Sequence, residues 1–184
     1  MTDRPTEDLD AFTSRAGDVS KAVEAFTHAA AEKQWTVGVV QASDTFVRLS
    51  VTGQSELIVD IALDSPPDLP PTMSILGPTF APMELAARKL LALFDRAMPR
   101  DFADLFRLVQ HWDRDELMRM AQTIDPGFDS SAFATAMRQL DRYRNEDIPI
   151  DATELLALRS YFHAWADDVA SAGSSGHQRA GRDS

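Results

Sequence analysis

The sequence predicts an α+β fold, with a small, mostly antiparallel sheet first and a helical C-terminal half after it. Three observations carry this. Up to about residue 77, short β-branched runs alternate with turn residues. From Pro82 onward the apolar residues recur at spacings of three and four, the period of a helix with one buried face. Between the two regimes lies S-P-P-D-L-P-P, residues 65–71, whose prolines cannot sit inside a ladder.

In chain order, Glu7–Phe12 reads as a first strand. Val19–Lys33 reads as a helix, with Val23, Phe26 and Ala30 on one face. Three strand-like runs follow: W-T-V-G-V-V (35–40), T-F-V-R-L-S-V (45–51) and E-L-I-V-D-I-A-L (56–63). The turn T-G-Q-S joins the second and third of these as a hairpin. Helical spacing then covers 82–97, 100–111, 113–123, 129–143 and 151–169. Asp129 and Asp151 are the expected N-caps, and Pro99, Pro126-Gly127 and Pro149 punctuate the helices. The expected organisation is an α/β core over 1–80, a helical region over 81–170 and a disordered tail over 171–184, where no apolar anchor is present.

The chain has 184 residues, 44% of them hydrophobic, which is enough for a packed core. It has no cysteine, which excludes disulfides and thiolate metal sites. No apolar run approaches the length of a membrane span, and the acidic start M-T-D-R-P-T-E-D lacks signal-peptide character, so the cytoplasm is the expected location. Net charge is −11 but uneven: −7 over residues 1–83, zero over 84–144 and −4 over 145–184. The neutral middle holds Arg88, Lys89, Arg96, Arg100, Arg107, Arg138, Arg142 and Arg144, a local basic set able to meet phosphates.

Two segments carry candidate chemistry. In R-P-T-E-D-L-D, Asp8 and Asp10 are two residues apart, so on a strand they project from one face and can share a divalent ion. The competing reading is a solvated acidic N-terminus. Asp60 lies in L-I-V-D-I-A-L, an apolar strand where a charge needs a partner. A metal shared with Asp8 and Asp10 would supply one; an edge strand facing water is the alternative. The second segment, Lys89 to Leu105, places Lys89, Arg96, Arg100, Asp101 and Asp104 on one helix and the start of the next. Lys89 sits in the apolar run E-L-A-A-R-K-L-L-A-L-F, where it either reaches a phosphate or snorkels to solvent. The charges at 96, 100, 101 and 104 could equally be exposed helix pairs. Carboxylates for magnesium plus cations for phosphate are the parts that handle a nucleoside triphosphate.

The segments T-E-D-L-D-A-F, L-I-V-D-I-A-L and P-M-E-L-A-A-R-K-L-L-A-L-F-D-R-A-M-P-R-D-F-A-D-L-F-R-L resemble, in that order, the AbiEii/AbiGii-type nucleotidyltransferase toxins of the DNA polymerase β-like superfamily. The resemblance spans about residues 4–140, and K-L-x-A-L-x-x-R-x-x-x-R-D-x-x-D-L is its most distinctive element. It implies a sheet of nucleotidyltransferase type and an enzyme using Mg2+ (or Mn2+). It implies Asp8, Asp10 and Asp60 as metal carboxylates and Thr6 beside the triphosphate. It further implies that Lys89 contacts the phosphates and that Asp104, with Asp101, is an active-site acid; Arg96 and Arg100 would join the nucleotide-binding set. Relatives of this kind transfer a nucleotide from an NTP, in some cases to the 3′ end of tRNA, and are restrained by an antitoxin. The expected partners are therefore NTP, a tRNA acceptor and a cognate antitoxin protein, with no membrane.

The sequence departs from the family pattern at one place. A Gly-Gly or Gly-Ser element that holds the triphosphate precedes the first aspartates in the family, whereas only seven residues, none of them glycine, precede Asp8. The expectation is weak NTP affinity; the alternative function is an N-terminally truncated, inactive family member that keeps only partner binding. His28, His111, His163 and His177 show no ligand spacing, and neither a nucleophile elbow nor a P-loop is present.

Overall fold

The computed structural model describes residues 8–75, 77–109 and 111–180, with side chains described through residue 172. The chain forms two compact units, residues 1–66 and 67–184.

The first unit is a four-stranded sheet with one helix against it. Strand β1 (Asp8–Thr13) precedes helix α1 (Asp18–Glu32), and β2 (Thr36–Ala42), β3 (Phe46–Thr52) and β4 (Glu56–Leu63) follow. The sheet order is β1-β4-β3-β2. β4 pairs parallel with β1 and antiparallel with β3, and β3 pairs antiparallel with β2. The sheet is thus mostly antiparallel, as expected, with β4 in its interior. Alternation decides which face is buried. Val47, Leu49 and Val51 on β3 and Val59 and Ile61 on β4 form the core, joined by Leu9 and Ala11 of β1. Val19, Ala22, Val23 and Phe26 of α1 cover that face. The opposite face carries Asp8, Asp10, Phe12, Arg48 and Asp60.

The T-G-Q-S turn makes the expected β3–β4 hairpin, with Thr52 opposite Glu56. A Cβ at Gly53 would lie 2.7 Å from Cδ1 of Trp35, so glycine is required there for the indole to pack on the turn. A bulge between Val39 and Gln41 shifts the β2–β3 register and brings Gln41 opposite Arg48.

In the second unit, β5 (Thr72–Ser74) and β6 (Gly77–Thr79) form a small hairpin that the periodicity does not reveal, because three-residue strands have no measurable alternation. Helices α2 (Pro82–Arg96), α3 (Pro99–Val109), α4 (Arg114–Ile124), α5 (Ser130–Arg138) and α6 (Leu155–Ala180) follow. Residues 67–80 belong with these helices and not with the sheet. A physical tie is Glu84, fully buried on α2, which accepts from the Leu69 backbone N–H at 3.0 Å and from Arg88 Nε at 3.0 Å. Arg88 in turn lies over the Phe80 ring, 4.1 Å from its centroid.

The helical core is aromatic. Phe102, Phe133, Phe162 and Trp165 are almost fully buried. Phe133 and Trp165 meet edge-on at 5.3 Å, as do Phe102 and Phe162 at 5.2 Å.

The helix over 129–143 is shorter than its apolar spacing suggests, ending at Arg138 and passing into a 3-10 turn, Gln139–Arg142. Arg159 holds that turn by donating to the carbonyls of Leu140 and Tyr143. Asp129 caps α5 as expected, accepting from Ala132 N at 2.7 Å. Asp151 instead closes a local turn, accepting from Thr153 N at 2.8 Å, and α6 begins only at Leu155. Helix α6 continues past residue 169 to Ala180, into the segment expected to be disordered; residues 181–184 lie outside the described ones. Among the described residues, no helix is long and apolar enough to cross a membrane.

Removing the Phe133 ring takes out the contact shared by Phe128 and Trp165. Phe133→Ala should destabilise the helical unit by about 3–5 kcal/mol, as for other buried aromatic truncations. Urea unfolding followed by tryptophan fluorescence measures this.

Candidate functional site

The sequence-derived candidates fall into two groups, one in each unit. On β1, Asp8 and Asp10 stand two residues apart on the exposed face of the sheet. Asp10 is the register partner of Asp60 on the adjacent parallel strand, so Asp8, Asp10 and Asp60 share that face. Asp60 lies on an interior strand, which removes the edge-strand alternative.

The partner that Asp60 requires is a side chain. Arg48, its register partner on β3, donates from Nε to Oδ1 at 2.8 Å and from Nη2 to Oδ2 at 2.6 Å. Both carboxylate oxygens are engaged in a bidentate fork. This hydrogen bonding, more than the charge attraction that accompanies it, holds the Asp60 carboxyl below its usual pKa against an opposing effect of burial. The Arg48 guanidinium is in turn held more firmly protonated, chiefly by Asp60 and in smaller measure by Asp10 and Asp8. Sequence reasoning missed Arg48, although a signal was there. Counting four residues outward from Thr52 and Glu56 on either side of the turn lands on Arg48 and Asp60.

Among the described residues, no three His, Asp or Glu side chains are grouped to hold a metal ion. The donor chemistry nevertheless suits one magnesium ion at Asp8 and Asp10, since Mg2+ takes one or two carboxylates and completes its shell with phosphates and water. Asp60 has its oxygens committed to Arg48. Thr6 lies outside the described residues.

The second group sits where α2 turns into α3. Ala97 adopts a left-handed conformation, φ 46°, at the end of α2, and α3 begins at Pro99. Asp101 is 1% exposed and accepts from Met98 N at 3.0 Å, which caps the start of α3. Arg96 reaches back to it with Nε at 2.9 Å and Nη2 at 2.7 Å. Arg96 and Asp101, placed by resemblance in the nucleotide-binding set, thus clamp this corner, and Asp101 presents no open surface to a ligand. The two groups that remain outward are different. Lys89 on α2 donates to Asp104 Oδ2 on α3 at 3.1 Å, with both side chains about one-third exposed. Arg107 stands 4.0 Å from Asp104 on its other side. Arg100 is exposed and makes no ion pair among the described residues. Lys89 does not snorkel alone; it belongs to a small Lys-Asp-Arg set on the surface of α2 and α3.

Arg96→Ala leaves Asp101 buried without its counter-charge and should cost about 3 kcal/mol in urea unfolding, whereas Lys89→Ala at a half-open pair should cost under about 1 kcal/mol. For Asp60, a depressed folded-state pKa means that its stabilisation is complete above the unfolded value of about 4 and is lost as pH falls through the folded value. The stability difference between wild type and Arg48→Gln should therefore be constant from neutral pH down to about pH 5 and shrink only below about pH 4, as read by denaturant unfolding across a pH series.

The comparisons with known proteins agree with this architecture. MenT4, a nucleotidyltransferase toxin from Mycobacterium tuberculosis H37Rv, superposes with a TM-score of 0.61 at 19% identity, covering 89% of this chain and 68% of that one. An H. pylori protein assigned as a nucleotidyltransferase superposes with a TM-score of 0.55 at 17% identity, covering 91% of this chain and 79% of that one. At such identities the likeness is one of fold. No curated protein matches the chain by sequence. The family model described as nucleotidyl transferase AbiEii toxin, type IV toxin–antitoxin system, matches residues 1–175. With residues 1–175 of the 184 matched, the protein belongs to the AbiEii nucleotidyltransferase toxin family.

Proposed function

We infer that this chain transfers a nucleotidyl group from an NTP to an acceptor hydroxyl, releasing pyrophosphate, and that it acts as the toxin of a toxin–antitoxin pair. The observation that carries the reading is the register of β1 against β4, which sets Asp8, Asp10 and Asp60 on one face of the sheet. Family membership supports the reaction class. The first acceptor to test is the 3′ end of tRNA, and a cognate antitoxin protein is the proposed partner.

In this reading Asp8 and Asp10 would hold Mg2+ or Mn2+, which would supply charge neutralisation at the triphosphate and favour ionisation of the acceptor hydroxyl. The remaining work is done by the chain's own groups. Lys89 donates to a phosphate oxygen, exchanging its resting contact with Asp104 for the substrate. Asp104 keeps the ammonium oriented before substrate arrives, so the donor is preorganised. The exposed Arg100 adds a second positive group to the same helical corner. Arg96 and Asp101 hold α2 and α3 at the angle that sets Lys89 against Asp104.

The test is incorporation of each labelled NTP into total tRNA by the purified chain with Mg2+ at high nucleotide concentration. Asp10→Ala should abolish incorporation, and Lys89→Ala should lower kcat/KM by about 10²–10³ while the unfolding curve stays near that of wild type. Incorporation unaffected by Asp10→Ala would sink the carboxylate assignment. A folded wild-type chain that incorporates none of the four nucleotides into any acceptor, yet binds an antitoxin protein, would move the reading to an inactive, partner-binding family member.

A further inference from the structure

The carboxylate face of the first unit carries its own cation. Arg48 spans from β3 to both oxygens of Asp60, through two N–H groups at 2.8 and 2.6 Å. A planar fork on a carboxylate is geometrically matched and charge-assisted, which makes it stronger than a single-point contact. The Asp60 side chain is 16% exposed and the Arg48 side chain 44%, so the pair is shielded from water on the carboxylate side and open on the guanidinium side. Asp8 and Asp10 act on the same guanidinium from the other side of Asp60.

A divalent ion and a guanidinium compete for the same oxygens. Magnesium demands near-octahedral oxygen ligands at about 2.0–2.1 Å, an approach hindered on the lone pairs already used by Arg48. A two-ion arrangement, with ions about 3.5–4 Å apart, would draw on Asp60 as well as on Asp8 and Asp10. The register makes the Arg48 contact intrinsic to the sheet, because the two residues face each other across a ladder whose inner positions are locked in the core.

Resting on the nucleotidyl-transfer reading above, we propose that Arg48 is the built-in second cation of this face: it holds Asp60, so the protein binds one divalent ion, through Asp8 and Asp10, instead of two. Arg48 is then a positioning residue for Asp60 and a fixed positive charge that stays on the face whether or not metal is present.

The test uses the whole chain with Mn2+ alone, without nucleotide, counting bound ions by electron paramagnetic resonance and measuring affinity by titration calorimetry. Wild type should bind one ion per chain, and Asp8→Asn with Asp10→Asn should remove it. Arg48→Gln removes a unit positive charge beside the ligands and releases Asp60. It should bind Mn2+ at least about tenfold more tightly or take up a second ion, because a like charge on the same face, one that Asp8 and Asp10 already feel, opposes the ion in the wild type. The double variant Arg48→Gln/Asp60→Asn should return to the one-ion behaviour, which assigns the gain to that pair. Arg48→Lys keeps the charge and should stay at one ion; it serves as the reading if Arg48→Gln does not fold by circular dichroism.

Two ions on wild type, or no gain in the folded Arg48→Gln chain, overturns the proposal while leaving metal-dependent transfer in place. A second ion on Arg48→Lys overturns it as well. If no form binds Mn2+, the metal reading itself fails and the proposal falls with it.

Discussion

The register of β4 between its two neighbours is the constraint on which the first unit depends. A slip of one residue would turn Val59 and Ile61 outward and drive Asp60 into the apolar layer under α1. The hairpin turn fixes the antiparallel side, since Gly53 alone leaves room for Trp35 and Thr52 then pairs with Glu56. The parallel side follows from the alternation of β1, with Leu9 and Ala11 inward and Asp8 and Asp10 outward. One registration satisfies both, and it brings three carboxylates and a guanidinium to a common face.

The helical unit solves a different problem, the burial of acidic groups. Glu84 and Asp101 are the charged residues most deeply buried among the described ones, and an arginine on the same helix, or on the one before, meets each. Each carboxylate also accepts a backbone N–H that would otherwise be short of a partner: Leu69 in the proline-rich loop and Met98 at the start of α3. These ions therefore fix chain corners. The more open ions, Lys89, Asp104 and Arg107, lie on the surface that those corners hold in place.

Some of this is legible in the sequence. The strand at Glu56–Leu63, the hairpin before it, the cap at Asp129 and the five helical stretches follow from periods of 2 and 3.6 and from capping chemistry, which are local properties. The ends of helices were less so. The helix over 129–143 stops early because Arg159, sixteen or more positions away, claims the carbonyls of Leu140 and Tyr143. Asp151 looks like a cap, but it stands four residues before α6 begins and closes a turn on Thr153 instead.

By itself, the sequence determined the α+β class, the family, the identity of the acidic and basic residues available for chemistry, and the face on which Asp8 and Asp10 project. These depend on spacing along one strand or one helix. Tertiary structure decided which charges are partners: that Asp60 is held by Arg48, that Arg96 and Asp101 clamp the α2–α3 corner, and that Lys89 rests on Asp104. The physical reason is that a charge pair is set by distance in space. Neighbouring strands bring residues twelve positions apart to under 3 Å, and a helical corner does the same for residues five apart, while the sequence records only that both signs are present.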